Sequence, residues 1–306
     1  MAKKIVVVIP AKNEQDTIGG MVKRIQDVGK KHKLDFKVLV VSDSRDKTME
    51  VAEKAGARAV RGDGKGLGAA MFRGLKAAAE MDADIIVSID ADGQTEPEEI
   101  PNVVSPVLSG EADLVIGSRF LDKSLMEYRM PLMNRLGNKS LSWMVRRITR
   151  LPITDAQAGF RAMRREVAES LEMIGTHTYV QETIIDAAKK GFRIKEVPSA
   201  WKRRSFGRSK VVASAKRYFA WTLPILLLRA GWHTMLFTFL GILLTVAGFI
   251  VGLSVLAIEN FNIIRTFNHI PALILTALLI LLGVLLFFFG FMLSIMIEIK
   301  NRVDKK

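Results

Sequence analysis

The chain has 306 residues and carries 45 Lys and Arg against 31 Asp and Glu, a formal charge of +14, with no cysteine. The basic excess is not spread over a domain face: residues 128–154 hold six basic side chains and no acid, and residues 199–233 hold eight and no acid. That distribution argues against nucleic acid as a partner. The second stretch leads straight into an apolar run, which favours anionic lipid headgroups instead.

In chain order, residues 5–9 form a short β-branched run, 14–32 have helical spacing and 36–41 read as a second strand. Residues 46–55 and 67–81 read as helices, 85–89 as a strand, 97–108 as a helix and 114–116 as a strand. Continuous apolar strands between helices predict an α/β domain on a mostly parallel, Rossmann-like sheet covered on both faces. Ligands of such sheets bind outside the carboxyl ends of the strands. The loops after Ile9, Val41, Ile89 and Ile116 are therefore the ones to read for chemistry.

Further on, Leu132, Leu136, Leu141, Met144, Val145 and Ile148 recur at helical spacing with Arg135, Lys139, Arg146 and Arg147 between them. This is a basic amphipathic helix, either lying in a membrane interface or covering the domain surface. Residues 218–233, with Trp221, Trp232, Arg217 and Arg229 around an apolar centre, are a second interface candidate, expected to kink at Pro224. Residues 235–258 and 270–297 contain no charged side chain, and each exceeds the about 20 residues that cross a bilayer as a helix. A two-helix transmembrane hairpin is expected, in which Gly248 and Gly252 form a small-residue step that packs on the partner helix or on a second protomer of a homo-oligomer. The segment between the spans holds one basic residue, Arg265, whereas Lys300, Arg302, Lys305 and Lys306 follow the second, so both termini are expected in the cytoplasm. The N-terminus has no apolar signal core, which agrees with a cytoplasmic large domain. The expected division is a domain over residues 1–212, a juxtamembrane segment over 213–233, the hairpin over 234–298 and a basic tail over 299–306.

The strongest local feature is the sequence IIVSIDADGQ, in which a buried strand empties into Asp90, Asp92 and Gln94. Two carboxylates and an amide at two-residue spacing suit Mg²⁺ or Mn²⁺, which keep waters and lean on substrate phosphates. Turn formation with helix capping is the plainer alternative. The ordered set IPAKNE, SDSRDKT, GDGKGLG, DADGQ and IGSR resembles the family-2 glycosyltransferases with the GT-A fold. DAQAGFR at 155–161, YVQETIIDAAKKGFRIKEVP from Tyr179 and RSFGRSK at 204–210, followed by membrane helices, narrow the resemblance to polyprenyl-phosphate sugar synthases of the dolichyl-phosphate mannose synthase group.

That resemblance implies roles residue by residue. Pro10, Ala11, Asn13 and Glu14 line the nucleotide pocket, Asp43 reaches the base or ribose, and Lys65 and Ala91 complete the donor side. Asp90, Asp92 and Gln94 hold the cation that bridges the donor diphosphate. Arg119 and Arg135 grip the acceptor phosphate; Asp155, Gln157 and Arg161 line the sugar side; Arg204, Ser209 and Lys210 belong to a loop closing over the phosphates. Asp92, Arg119 and Asp155 are the expected catalytic set. The chain departs from the family pattern at Ser42-Asp43-Ser44, where two adjacent acids are common, and at Ala158, where Ser is common.

Elementary electrostatics points the same way. Two anionic substrates, a nucleotide sugar and a lipid phosphate, meet in a cleft of low dielectric only where cations are fixed in advance, and Arg matches phosphate through its rigid donor fork. None of His32, His177, His233 and His269 falls in a motif, so no histidine base is expected; a phosphate monoester with a second pKa of about 6 is already largely ionised at neutral pH. The reaction expected is non-processive, inverting transfer of one hexose, GDP-mannose to dolichyl phosphate first. UDP-glucose or UDP-N-acetylglucosamine with undecaprenyl phosphate is the alternative. A processive polysaccharide synthase fits less well, because Gln181 is followed by Glu182, Thr183 and Ile184 rather than a Gln-x-x-Arg-Trp element, and two spans make a poor channel. An inactive scaffold with the same fold would not need its metal acids intact.

Overall fold

The computed structural model describes residues 3–127, 130–202, 215–260 and 262–303. It forms two compact units, one reaching Leu226 and the other beginning at Leu227. In the first, strands β1 (Lys4–Ala11), β2 (Asp35–Ser42), β3 (Arg58–Arg61) and β4 (Ile85–Ser88) alternate with helices α1 (Ile18–His32), α2 (Thr48–Lys54) and α3 (Leu67–Glu80). There follow α4 (Ile100–Leu108), β5 (Leu114–Ser118), α5 (Leu132–Thr149), β6 (Arg161–Arg164), α6 (Arg165–Ser170), α7 (Val180–Lys189) and β7 (Ile194–Pro198). The last elements are α8 (Ala215–Ala230), α9 (Trp232–Ile258), the single turn α10 (Ile263–Thr266) and α11 (Ile270–Val303).

The seven strands order as β3-β2-β1-β4-β6-β5-β7. All pairings are parallel except those of β6, which runs antiparallel to both β4 and β5. The apolar strands β1, β4 and β5 are buried along their length, as expected where helices cover both faces. Two cores result. Ile5, Val7, Ile9, Val87 and Ile116 pack with α1 and α4 on one face; Val6, Val8, Leu39, Ile86 and Leu114 pack with α3 and α7 on the other.

The topology decides where the chemistry goes. The carboxyl ends of β1, β2, β4, β5 and β7 share one edge of the sheet, and because β6 is reversed, residues 155–160 enter it from that same edge. Every loop flagged by its polar sequence is thus gathered there, together with one segment that the parallel reading did not assign to a strand.

Helix α5 forms where the helical spacing predicts and buries only part of its apolar stripe. Leu141 and Val145 are buried, whereas Leu132 and Leu136 stand 69% and 51% exposed. In α8, which runs through Pro224 as one helix, Leu226 is fully buried in the core of the first unit, so packing carries past the boundary drawn at residue 212.

In the second unit, the two apolar helices provide candidate spans at Thr234–Ile258 and Ile263–Met296. Their contact is lined by small residues. A Cβ on Gly241 would lie 2.5 Å from Phe287 N and 2.7 Å from Gly283 O; one on Gly248 would lie 2.7 Å from Ile280; one on Gly290 would lie 2.9 Å from Thr238 N. The Gly248 and Gly252 step therefore faces the partner helix of the same hairpin, where Thr276 covers Gly252.

Candidate active site

The site is built from the ends of the central strands. Asp90 and Asp92 follow β4 directly, with Ala91 buried between them. Asp92 Oδ1 accepts the Gln94 backbone N–H at 3.0 Å, so the turn-forming role is real and engages one carboxylate oxygen of the pair. Asp90 is half-buried against the 158–160 segment. Gly159 makes that approach possible: a Cβ there would fall 2.9 Å from Asp90 Oδ2 and 3.0 Å from the Tyr179 hydroxyl. The same glycine's carbonyl accepts from Ser88 Oγ at 2.7 Å and Tyr179 Oη at 3.2 Å. Burial, reinforced by the negative charge of Asp90, pushes the Tyr179 phenol above its ordinary range. Among the described residues no group of three or more His, Cys, Asp or Glu is placed to hold a metal ion. Two carboxylates with a neighbouring amide still fit Mg²⁺ or Mn²⁺, because such ions complete their shell with water and substrate phosphate.

On the donor side, Pro10 and Ala11 prolong β1 to the edge as buried residues. Asn13 follows with a left-handed φ of 52°, its N–H donated to Ser44 Oγ at 2.6 Å, and Glu14 N–H bonds Thr48 Oγ1 at 2.9 Å. Those contacts lock the loop after β1 to the loop after β2. Asp43, between Ser42 and Ser44, accepts the Gly64 N–H at 3.0 Å, which ties the GDGKG loop to the same place. Lys65 is 69% exposed and 3.9 Å from Asp63.

On the other side lies a buried ion pair. Arg119 Nε and Nη2 donate to Asp155 Oδ2 and Oδ1 at 2.6 and 2.8 Å, and the Arg119 N–H donates to Oδ2 at 3.2 Å. Asn138 Nδ2 adds a bond to Oδ1 at 2.9 Å and reaches Gln157 Oε1 at 3.4 Å. Burial acts to raise the Asp155 carboxyl, but the Arg119 charge and the bonds from Arg119 and Asn138 outweigh it and leave the group below its ordinary value. The guanidinium also lies 4.8 Å from the buried ring of Trp201.

The structure thus brings Asp90, Asp92, Asp155, Gln157 and Arg119 to one sheet edge. Arg135 is exposed on α5, three residues before Asn138. Arg204, Ser209 and Lys210 lie outside the described residues. Arg161 needs correction: it is fully buried rather than lining the cleft, donating from Nε to Ala158 O at 2.8 Å and bonding Thr183. Its Nη2 meets no hydrogen-bond partner among the described residues, and burial lowers its pKa to about 10. Sequence reasoning passed over Asn138, Trp201 and Glu196. Asn138 and Ser142 carried a usable signal, two polar residues one helical turn apart on the face that buries Leu141 and Val145.

Comparison with known proteins agrees with this geometry. Residues 6–172 match the family described as Glycosyl transferase family 2. A UDP-N-acetylglucosamine--dolichyl-phosphate N-acetylglucosaminyltransferase of Methanococcus voltae is 32% identical over 221 residues, covering 65% of this chain and 86% of that one. A dolichol-phosphate mannosyltransferase of Pyrococcus furiosus is 33% identical over 218 residues, 68% of this chain and 59% of that one. Among solved structures, a glucosyl-3-phosphoglycerate synthase of Mycobacterium tuberculosis in complex with Mg²⁺ and uridine diphosphate superposes with a TM-score of 0.55 at 26% identity, covering 75% of this chain and 80% of that one. With the family matched across more than half of its length and the sheet-edge carboxylates in place, the chain belongs to glycosyl transferase family 2.

Proposed function

We propose that this enzyme transfers one hexose from a nucleotide sugar to a polyprenyl phosphate at the cytoplasmic face of a membrane, with inversion at the anomeric carbon and without processive elongation. The observation that carries the reading is the pairing, on one sheet edge, of the Asp90–Asp92 carboxylates with the Arg119–Asp155 ion pair, in a chain that also has an apolar helical hairpin. Asp90, Asp92 and Gln94 would hold Mg²⁺ or Mn²⁺, which when bound supplies Lewis-acid stabilisation of the departing diphosphate. Arg119, fixed along its Nε–Nη2 edge by Asp155, and Arg135 on α5 would meet the acceptor phosphate. Asn13, Glu14, Asp43 and Lys65 would hold the nucleotide, and Gln157 would face the sugar. Because the acceptor oxygen arrives ionised, positioning and charge stabilisation do the work of a general base.

GDP-mannose with dolichyl phosphate is the first choice of substrates, supported by the name of the Pyrococcus relative. The name of the Methanococcus relative supports UDP-N-acetylglucosamine equally. Incubating the purified protein with a panel of labelled nucleotide sugars and polyprenyl phosphates, with and without chelator, identifies donor and acceptor through lipid-extractable label. The label should vanish with chelator and return with added Mn²⁺. Asp92→Ala should cut transfer by at least about 100-fold while membrane extraction behaviour is unchanged; transfer at the wild-type rate would remove the metal assignment.

A further inference from the structure

Glu196 has no part in the chemistry above, yet three hydrogen bonds tie it to the site. It lies on β7 opposite Ile116 of β5, two residues before the strand reaches the active edge. Its Oε2 accepts Thr154 N–H at 2.8 Å and Thr154 Oγ1 at 2.7 Å, and its Oε1 accepts Asp155 N–H at 2.8 Å. With the Thr154 hydroxyl proton committed to Glu196, the 2.7 Å contact between Thr154 Oγ1 and Ser118 Oγ has serine as donor. Ser118 Oγ in turn accepts the Phe120 N–H at 3.2 Å. The main chain on both sides of the Arg119–Asp155 pair is therefore referred to one carboxylate.

That carboxylate is an unfavourable choice for mere packing. Burial and the nearby negative charge of Asp155 raise the Glu196 pKa, only partly opposed by its hydrogen bonds. An apolar residue would fill the position without repelling Asp155. What a carboxylate alone provides is three strong acceptor contacts from two oxygens. The buried guanidinium of Arg161, bonded to no carboxylate among the described residues, places positive potential near Asp155, Glu196 and Asp90.

We propose that Glu196 is a positioning residue for the acceptor side: it fixes the Thr154–Asp155 main chain so that the Asp155 carboxylate holds Arg119 in the orientation that meets the acceptor phosphate. This rests on the reading of Arg119 as a phosphate ligand. The test uses the full chain in detergent or lipid with the donor and polyprenyl phosphate that give label. Glu196→Gln keeps the shape but turns an amide NH₂ toward a donor. It should raise the KM for polyprenyl phosphate about 10-fold or more, with a smaller fall in kcat and unchanged binding of Mn²⁺ with UDP or GDP. Because the residues act as one unit, Glu196→Gln combined with Asp155→Asn should be no worse than Asp155→Asn alone. A lowered melting temperature with wild-type acceptor KM, or losses that multiply in the double variant, would overturn the proposal. If Glu196→Gln does not fold, Thr154→Val should raise acceptor KM and Thr154→Ser should restore it; Thr154→Val at wild-type KM would overturn it too. Wild-type protein that labels no polyprenyl phosphate with any donor would sink the functional reading instead, so the two failures are separable.

Discussion

The pair Arg119–Asp155 shows what single residues contribute. Asp155 is fully buried and the Arg119 side chain is 11% exposed, so removing one partner leaves an uncompensated charge. Asp155→Asn should lower kcat/KM by about 100-fold, and Arg119→Lys should do nearly as much, since an ammonium cannot span two carboxylate oxygens while facing Trp201. Steady-state kinetics with varied acceptor would reveal it, and a fully active Arg119→Lys would show that the fork geometry is irrelevant. A second pair sits far from the chemistry. Arg193 Nη2 and Nε bond Asp113 Oδ1 and Oδ2 at 2.8 and 3.0 Å. Those hydrogen bonds prevail over the cost of burial and hold the Asp113 carboxyl at about 2, below its usual 3.8. A folded-state value below the unfolded one means the stabilisation is complete above about pH 4 and disappears as pH falls toward 2. Asp113→Asn should melt a few degrees lower at pH 7, and the gap to wild type should close in melting curves recorded near pH 2. Asp90 and Asp92 were legible in the sequence because they terminate an apolar run. The Arg119–Asp155 bond was not, since 36 residues separate its partners and only tertiary structure joins them.

Elements were legible in proportion to their apolar content. β1, β4 and β5 are nearly continuous apolar runs, β2 holds one from Val38 to Val41, and all four fall where expected. β3 and β6, of sequence RAVR and RAMR, each carry two arginines in four residues and offer no pattern of period two strong enough to read. Missing β6 concealed the single antiparallel strand, and with it the reason Asp155 arrives beside β5. The hairpin illustrates the opposite case: its helices were evident from hydropathy, but the glycine faces acquire meaning only in pairs. Close backbone approach through small residues is the usual source of attraction between helices in lipid. A side chain on Gly283 would collide with Thr245, whose backbone N would lie 2.6 Å from the new Cβ. Gly283→Val should therefore separate α9 from α11, seen as faster proteolysis of the hairpin and lower thermal stability in detergent. Unchanged stability would mean that lipid or detergent, not helix contact, maintains the pair.

At the scale of the whole molecule, the charge of +14 and the exposed apolar surface suit the proposed reaction, in which a water-soluble donor is joined to an acceptor held in the bilayer. The two apolar helices, candidate membrane spans, would supply anchorage. The first unit also exposes apolar side chains on α5, where Leu132, Met133, Leu136 and Trp143 are 50–70% exposed and Arg135, Lys139 and Arg147 are interleaved with them. Apolar side chains ringed by arginine and lysine bind the headgroup layer of anionic membranes, by burial of area and by Coulomb attraction together. If α5 engages lipid in this way, Leu132→Glu with Leu136→Glu places two negative charges against an anionic surface without touching the buried residues Asn138, Leu141, Ser142 and Val145. Transfer to a long-chain polyprenyl phosphate in anionic vesicles should then fall about 10-fold, while transfer to a short, water-dispersed polyprenyl phosphate stays near wild type. Added salt should weaken wild-type activity on the vesicles as it screens the basic residues. Equal loss on both acceptors would instead assign α5 to the folding of the site, and equal retention on both would make its exposed leucines an incidental feature of a domain held to the membrane by the hairpin alone.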